Sequence, residues 1–167
     1  MTIAAAVLTI SDSAASGRRE DVSGPKLRER LAQLGWTTAI HEVAPDEPSV
    51  IAARVAALAA LEEISLVITT GGTGVSARDV TPEAVRPIVE REIPGFGELM
   101  RSEGLKKSPL APLSRSFAGT LRTTLILCLP GSPKGAVESL DAVAHLIPHV
   151  CALLRGHTEH EDAKLKT

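Results

Sequence analysis

The strongest constraint in this chain is an apolar run that ends in closely spaced glycines. Leu66-Val67-Ile68-Thr69-Thr70 is apolar and β-branched, and Gly71, Gly72 and Gly74 follow it directly. The run predicts a buried strand. The glycines give a backbone that can turn sharply and approach a ligand with no Cβ in the way. Thr81 before Pro82 predicts a helix N-cap with proline at the first helical position. A glycine-rich loop carrying Arg78 and Asp79 therefore joins a strand end to a helix start, a layout suited to an anionic, phosphorylated ligand.

Around this unit the pattern alternates. Ile3–Ile10, Thr37–Ala44 and Leu66–Thr70 read as strands. Asp21–Leu34, Pro48–Glu62, Pro82–Arg91 and Phe96–Lys106 read as helices, and Lys107–Leu113, with two prolines, as irregular. Arg115–Thr120 and Thr123–Leu129 are close enough to form a hairpin. Ser132-Pro133 starts a last helix, interrupted at Pro148. The expected fold is α/β: three layers, a mostly parallel sheet flanked by helices on both faces, with one antiparallel edge hairpin. Residues 1–155 read as a single domain and residues 156–167 as a charged, frayed tail. Such sheets bind ligands beyond the carboxyl ends of their strands. Ser11-Asp12-Ser13, Thr70–Gly74 and Pro130-Gly131-Ser132 are therefore expected to converge on one crevice.

Composition removes several function classes. Hydrophobic residues make up 44% of the 167 residues and charged ones 23%, which fits a globular chain. Aromatics are only 2% and the net charge is −2, which disfavours stacking on single-stranded nucleic acid or gripping a phosphate backbone. No apolar stretch approaches the roughly 18 residues of a membrane span. The N-terminus has no basic segment before its apolar run, so a cytoplasmic location is expected. Cys128 and Cys151 lie in apolar surroundings and read as buried, inert thiols.

The glycine loop fails as a Walker A motif, because Val75 and Ser76 follow Gly74 where lysine and serine or threonine are required. Gly72, Gly74 and Ala77 fit a dinucleotide pattern weakly, since that pattern needs the helix to open at the glycines. Asp79 is either an acidic residue near a helix start or an oxygen ligand for Mg2+ on nucleotide phosphates. Asp46, between the second strand and the second helix, is a helix cap or a second carboxylate of the same site. Asp12 and Ser13 share that ambiguity. Ser114-Arg115-Ser116 offers a guanidinium fork and hydroxyls for a phosphate, or an exposed edge arginine. Lys134, in the first turn of the last helix, sits unfavourably beside the helix dipole unless an anion compensates. The histidines read as structural or surface residues.

In this order the segments resemble the MogA/MoaB family of molybdenum-cofactor biosynthesis proteins, from about Ile3 to Leu154. The resemblance is carried by Leu8-Thr9-Ile10-Ser11-Asp12-Ser13, Pro45-Asp46-Glu47, Thr69–Gly74 and Arg78-Asp79-Val80-Thr81-Pro82-Glu83-Ala84. Pro94-Gly95-Phe96-Gly97-Glu98, Leu113-Ser114-Arg115 and Leu129-Pro130-Gly131-Ser132-Pro133-Lys134 complete it. The resemblance implies a homotrimer and Mg2+- and ATP-dependent adenylylation of molybdopterin, with pyrophosphate released and the product passed to a molybdate-inserting protein. It places the catalytic, metal-holding aspartates at Asp46 and Asp79. It assigns nucleotide or pterin binding to Ser11, Asp12, Ser13, Thr70, Gly71, Gly72, Thr73 and Gly74, with Ser114, Arg115, Gly131, Ser132 and Lys134 on the remaining anion-binding surface. Glu98 matches an acidic family position. The competing readings are a non-catalytic molybdopterin carrier of the same fold and a nicotinamide-dependent oxidoreductase.

Overall fold

The computed structural model describes residues 2–157. Its centre is a six-stranded sheet in the order β2-β1-β3-β6-β5-β4. The strands are β1 (Ala4–Ile10), β2 (Thr37–Ala44), β3 (Leu66–Thr70), β4 (Arg91–Glu92), β5 (Phe117–Leu121) and β6 (Thr124–Leu129). β2, β1, β3 and β6 run parallel. β5 and β4 add an antiparallel margin. The glycine-bounded run of the sequence is thus β3, buried throughout and central.

Alternation along the strands sends side chains to opposite faces. Ala5 and Val7 of β1, Leu66 and Ile68 of β3, and Leu125, Leu127 and Leu129 of β6 meet one layer of helices. That layer is α2 (Ser23–Gln33), α5 (Pro94–Leu105), α6 (Pro133–Val143) and α7 (Ile147–Leu154). Leu8, Ile10, Val67, Ile126 and Cys128 face the other layer, α3 (Pro48–Ala59) and the short α4 (Thr81–Val85). Burial on both faces explains why these strands read as continuous apolar runs. The expected three-layer α/β architecture is observed. Cys128 and Cys151 are free, buried and on opposite faces of the sheet. Burial pushes their thiols up to about 12 and about 11.

Thr81 is the first residue of α4 rather than its N-cap, which is Val80, and three further local expectations change. The helix read over 82–91 stops at Val85, followed by one 3₁₀ turn, Arg86–Ile88. Pro87 withholds a helical donor there. The chain then leaves as β4, with Glu90 N donating to Thr120 O (2.7 Å) and Ile93 N to Ala118 O (2.8 Å). The expected hairpin, β5–β6, is present, and β4 extends it by one further antiparallel strand. Ser11 opens a four-residue helix, α1 (Asp12–Ala15), instead of a plain loop. The last helix is two helices, α6 and α7, meeting at 66°. The break precedes Pro148, which occupies the first turn of α7. Among the described residues no single helix is long and apolar enough to cross a membrane. The tail expected over 156–167 falls, beyond His157, outside the described residues.

Candidate active site

β1 lies between β2 and β3 in the sheet. The chain leaves β1 towards β2 and leaves β3 towards the opposite edge, so the crevice between β1 and β3 is a topological switch point. A cavity of about 500 Å³ opens there. Its wall includes Ser11, Asp46, Thr70, Gly71, Gly72, Asp79, Gly131 and Ser132, so all three expected loops and the second carboxylate loop meet. An adjoining cavity of about 400 Å³ is bordered by Thr73, Gly74 and Ser114, with Leu110 and Leu113.

Backbone conformation builds the junction. Gly71 and Gly72 adopt φ +112° and +64°, which side-chain-bearing residues rarely tolerate. A Cβ on Gly71 would stand 2.2 Å from Ile10 O. Thr81 closes the loop: its buried Oγ1 donates to Gly71 O (2.8 Å) and its amide to Gly72 O (3.0 Å). The amides of Gly72, Thr73 and Gly74 make no hydrogen bond to another described residue. They remain available to an anion, as in backbone anion nests.

The two carboxylates flank this loop. The Cβ position on Gly72 lies 3.3 Å from Asp46 Oδ1, and that on Gly74 lies 2.8 Å from Asp79 Oδ2. Asp79 Oδ2 accepts from Ser76 N at 2.8 Å. Asp46 Oδ2 accepts from Asp12 N at 2.9 Å, while Asp46 N donates to Asp12 Oδ1 at 3.0 Å. Asp46 therefore does not cap α3, whose N-cap is Glu47. Arg78 donates to Asp12 Oδ2 from Nε (3.1 Å) and Nη2 (2.5 Å), and reaches Glu47 Oε1 at 3.5 Å.

The electrostatics separate the pair. The Asp46 amide and Arg78 hold the Asp12 carboxyl below the usual aspartate range. Asp46 is raised, chiefly by burial and further by the neighbouring Asp12 and Asp79. Asp46 and Asp79 each leave Oδ1 without a hydrogen bond from a described residue. Among the described residues no group of three or more His, Cys, Asp or Glu side chains is placed to cage a metal. Two carboxylates with one open oxygen each instead suit Mg2+, which takes the rest of its shell from water and substrate phosphates.

Other expected residues sit differently. Ser11 Oγ and Ser132 Oγ cap α1 and α6, accepting from Ala14 N and Gly135 N. Ser13 Oγ meets Ser11 Oγ at 3.1 Å. Lys134 is 83% exposed beside Glu138 and lines neither cavity. Glu98 is exposed on α5. Arg115 sends its guanidinium to the glycine loop, with Nε to Gly74 O (2.7 Å), Nη2 to Asp79 O (2.6 Å) and Nη1 to Glu83.

Sequence reasoning missed Arg78 as the link between Asp12 and Glu47, and Asp21 as a wall residue. Asp21 accepts from Thr9 Oγ1, Gly24 N and the His41 ring. Its position just ahead of Ser23-Gly24-Pro25 was the available signal, an acceptor before a helix start.

The family profile described as "Probable molybdopterin binding domain" matches residues 6–149. The chain belongs to this family. Within it, the chain is 41% identical over 158 residues to the molybdopterin adenylyltransferase of Helicobacter pylori, covering 93% of this chain and 90% of that protein. It is also 41% identical over 144 residues to the molybdopterin adenylyltransferase of Escherichia coli K12, covering 85% and 74%. The crystal structure of the molybdopterin biosynthesis enzyme MoaB from Thermus thermophilus superposes with TM-score 0.87 at 46% identity, covering 93% of this chain and 98% of that one. The dinucleotide reading of the glycines does not fit this family member. It needs a helix opening at the glycines, whereas α4 starts only at Thr81.

Proposed function

We propose that this chain is a molybdopterin adenylyltransferase of molybdenum-cofactor biosynthesis. Its substrates are molybdopterin and ATP. In the reaction, an oxygen of the molybdopterin phosphate bonds to the α-phosphorus of ATP. The α–β bridging bond breaks, leaving molybdopterin-AMP and pyrophosphate. One observation carries the reading: Asp46 and Asp79, from separate connections, wall the same cavity on either side of a loop with unpaired amides.

In this reading Asp46 and Asp79 would hold Mg2+, which would neutralise charge on the nucleotide phosphates. The amides of Gly72, Thr73 and Gly74 bind phosphate oxygens, and their fixed dipoles favour charge that builds up during transfer. The crevice orients attacking and leaving groups, since phosphoryl-type transfer is driven by positioning and electrostatics. Ser114, Leu110 and Leu113 border the adjoining cavity, which has room for a second substrate beside the nucleotide. Homotrimer assembly, a cytoplasmic location and delivery of product to a molybdate-inserting protein belong to the same proposal.

The test is incubation with molybdopterin, ATP and Mg2+, scored by pyrophosphate release and molybdopterin-AMP. Release is expected only with all three present and is lost on chelation of the metal. Asp79→Asn should lower turnover by about 100-fold or more while molybdopterin still binds. Binding of molybdopterin by the unaltered chain with no pyrophosphate released would instead establish a carrier.

A further inference from the structure

The loop that carries Asp79 buries little apolar surface. Val75, Ser76, Ala77 and Arg78 are all exposed, Val75 to 70%. Apolar burial therefore contributes little to their order, and such segments open easily unless polar contacts fix them.

Two arginines supply those contacts: Arg78 ties the middle of the loop to Asp12 and Glu47, and the two ends are tied by Arg115. Its Nε and Nη2 donate to Gly74 O and Asp79 O, the carbonyls at either end of the exposed stretch, at 2.7 and 2.6 Å. Its own amide donates to Thr73 O at 2.8 Å. Its Nη1 is paired with Glu83, on α4, which follows the loop. Inside the bracket, Ser76 N sets the Asp79 carboxylate and Asp79 N donates back to Ser76 O at 3.0 Å. One rigid guanidinium thus spans a loop whose interior bonds aim a single carboxylate. A lysine ammonium keeps the charge but lacks the planar fork that reaches both carbonyls at once.

We propose that Arg115, oriented by Glu83, is a positioning residue that sets the Asp79 carboxylate, and not a phosphate ligand. The proposal rests on the adenylyltransferase reading for its catalytic consequence. Its effect on the loop does not depend on that reading. The Glu83 carboxylate answers the charge of Arg115, and binding a substrate phosphate would require competing with it. Relief of that pairing also separates the alternatives. If Arg115 grips substrate, Glu83→Gln frees it and KM falls. If Arg115 positions Asp79, Glu83→Gln loosens the clamp and kcat falls.

The experiment compares Arg115→Lys, Arg115→Ala and Glu83→Gln with the unaltered protein, by steady-state kinetics and by amide hydrogen exchange. Both arginine variants should lower kcat, by about 100-fold for alanine, with KM for ATP and for molybdopterin within about threefold. Glu83→Gln should lower kcat by about 10-fold in the same pattern. The Ser76 and Asp79 amides should exchange faster in every variant, a readout that survives even if the protein transfers no AMP. A KM increase at unchanged kcat, a KM decrease in Glu83→Gln, or unchanged exchange of these amides would overturn the proposal. Arg115→Lys is the most conservative of the three and carries the test if the alanine variant does not fold.

Discussion

Asp12 and Asp46 hold one another through reciprocal hydrogen bonds, the amide of each donating to the carboxylate of the other at 2.9 and 3.0 Å. The clasp joins the connection after β1 to the connection after β2, and Arg78 fastens it to the loop after β3. Three connections of a parallel sheet are thereby tied at one end, around the oxygens that face the cavity.

Removing one half of the clasp should displace the other. In Asp12→Ala, the Asp46 amide loses its acceptor and Arg78 its main partner. Supporting groups of this kind are worth about 10- to 100-fold in metal affinity or activity. Mg2+ titration of pyrophosphate release should show the Mg2+ requirement rising by that factor. An unchanged titration would show that Asp46 needs no support.

The raised carboxyl of Asp46 sets a pH dependence. Burial leads and the charges of Asp12 and Asp79 add to it, so Asp46 ionises above the ordinary value of 3.8. In the proposed role Asp46 binds Mg2+ as its carboxylate, so Mg2+ affinity of the metal-free protein should weaken as pH falls towards the raised pKa of Asp46. For stability the sign is opposite to that of a salt-bridged carboxylate. A raised carboxyl costs nothing when protonated in both states, and the cost grows as pH rises through its folded-state pKa. Asp46→Asn should therefore melt higher than the unaltered protein at pH 7, with the gap closing towards low pH, while turnover is lost. Calorimetry across that range measures it.

Gly71 and Gly35 both have positive φ, +112° and +76°, yet only Gly71 is crowded. Alanine at Gly35 meets nothing within 4 Å and should cost about 1 kcal/mol. Alanine at Gly71 drives its Cβ onto Ile10 O and should cost about 3 kcal/mol or more. Urea unfolding of the two variants tests the contrast, and equal midpoints would refute it.

Thr81→Val should be disproportionately harmful for a change of similar shape. It leaves Gly71 O without its buried donor, at about 1–3 kcal/mol. Thr81→Ser keeps the hydroxyl and should recover most of the stability. Denaturant midpoints for the pair provide the check.

The buried parallel strands were legible because their side chains answer to one local variable, burial on both faces. The apolar, β-branched run Leu66–Thr70 is β3, buried along its whole length. β4 was not legible: Arg91 and Glu92 are exposed and carry no periodic signal, and only pairing with β5 makes them a strand. The convergence of Ser11, Gly71 and Gly131 could be expected from strand ends in an open sheet. The Asp12–Asp46 clasp could not, because it joins residues with no sequence relation to each other.

Arg115 shows the same division from the other side. Its residue type and its neighbours Ser114 and Ser116 suit a phosphate, and nothing local says otherwise. By itself the sequence determined the alternating α/β order, the glycine turn after β3, and a stock of carboxylates and donors at the strand ends. Periodicity, φ preference and capping act over a few residues, so these properties are local. The tertiary structure alone decided which carboxylate faces the cavity, which is clasped from behind, and which arginine ties the two ends of the loop. Those are matters of distance and dielectric between segments far apart in the chain, and they take values only once the sheet has brought the segments together.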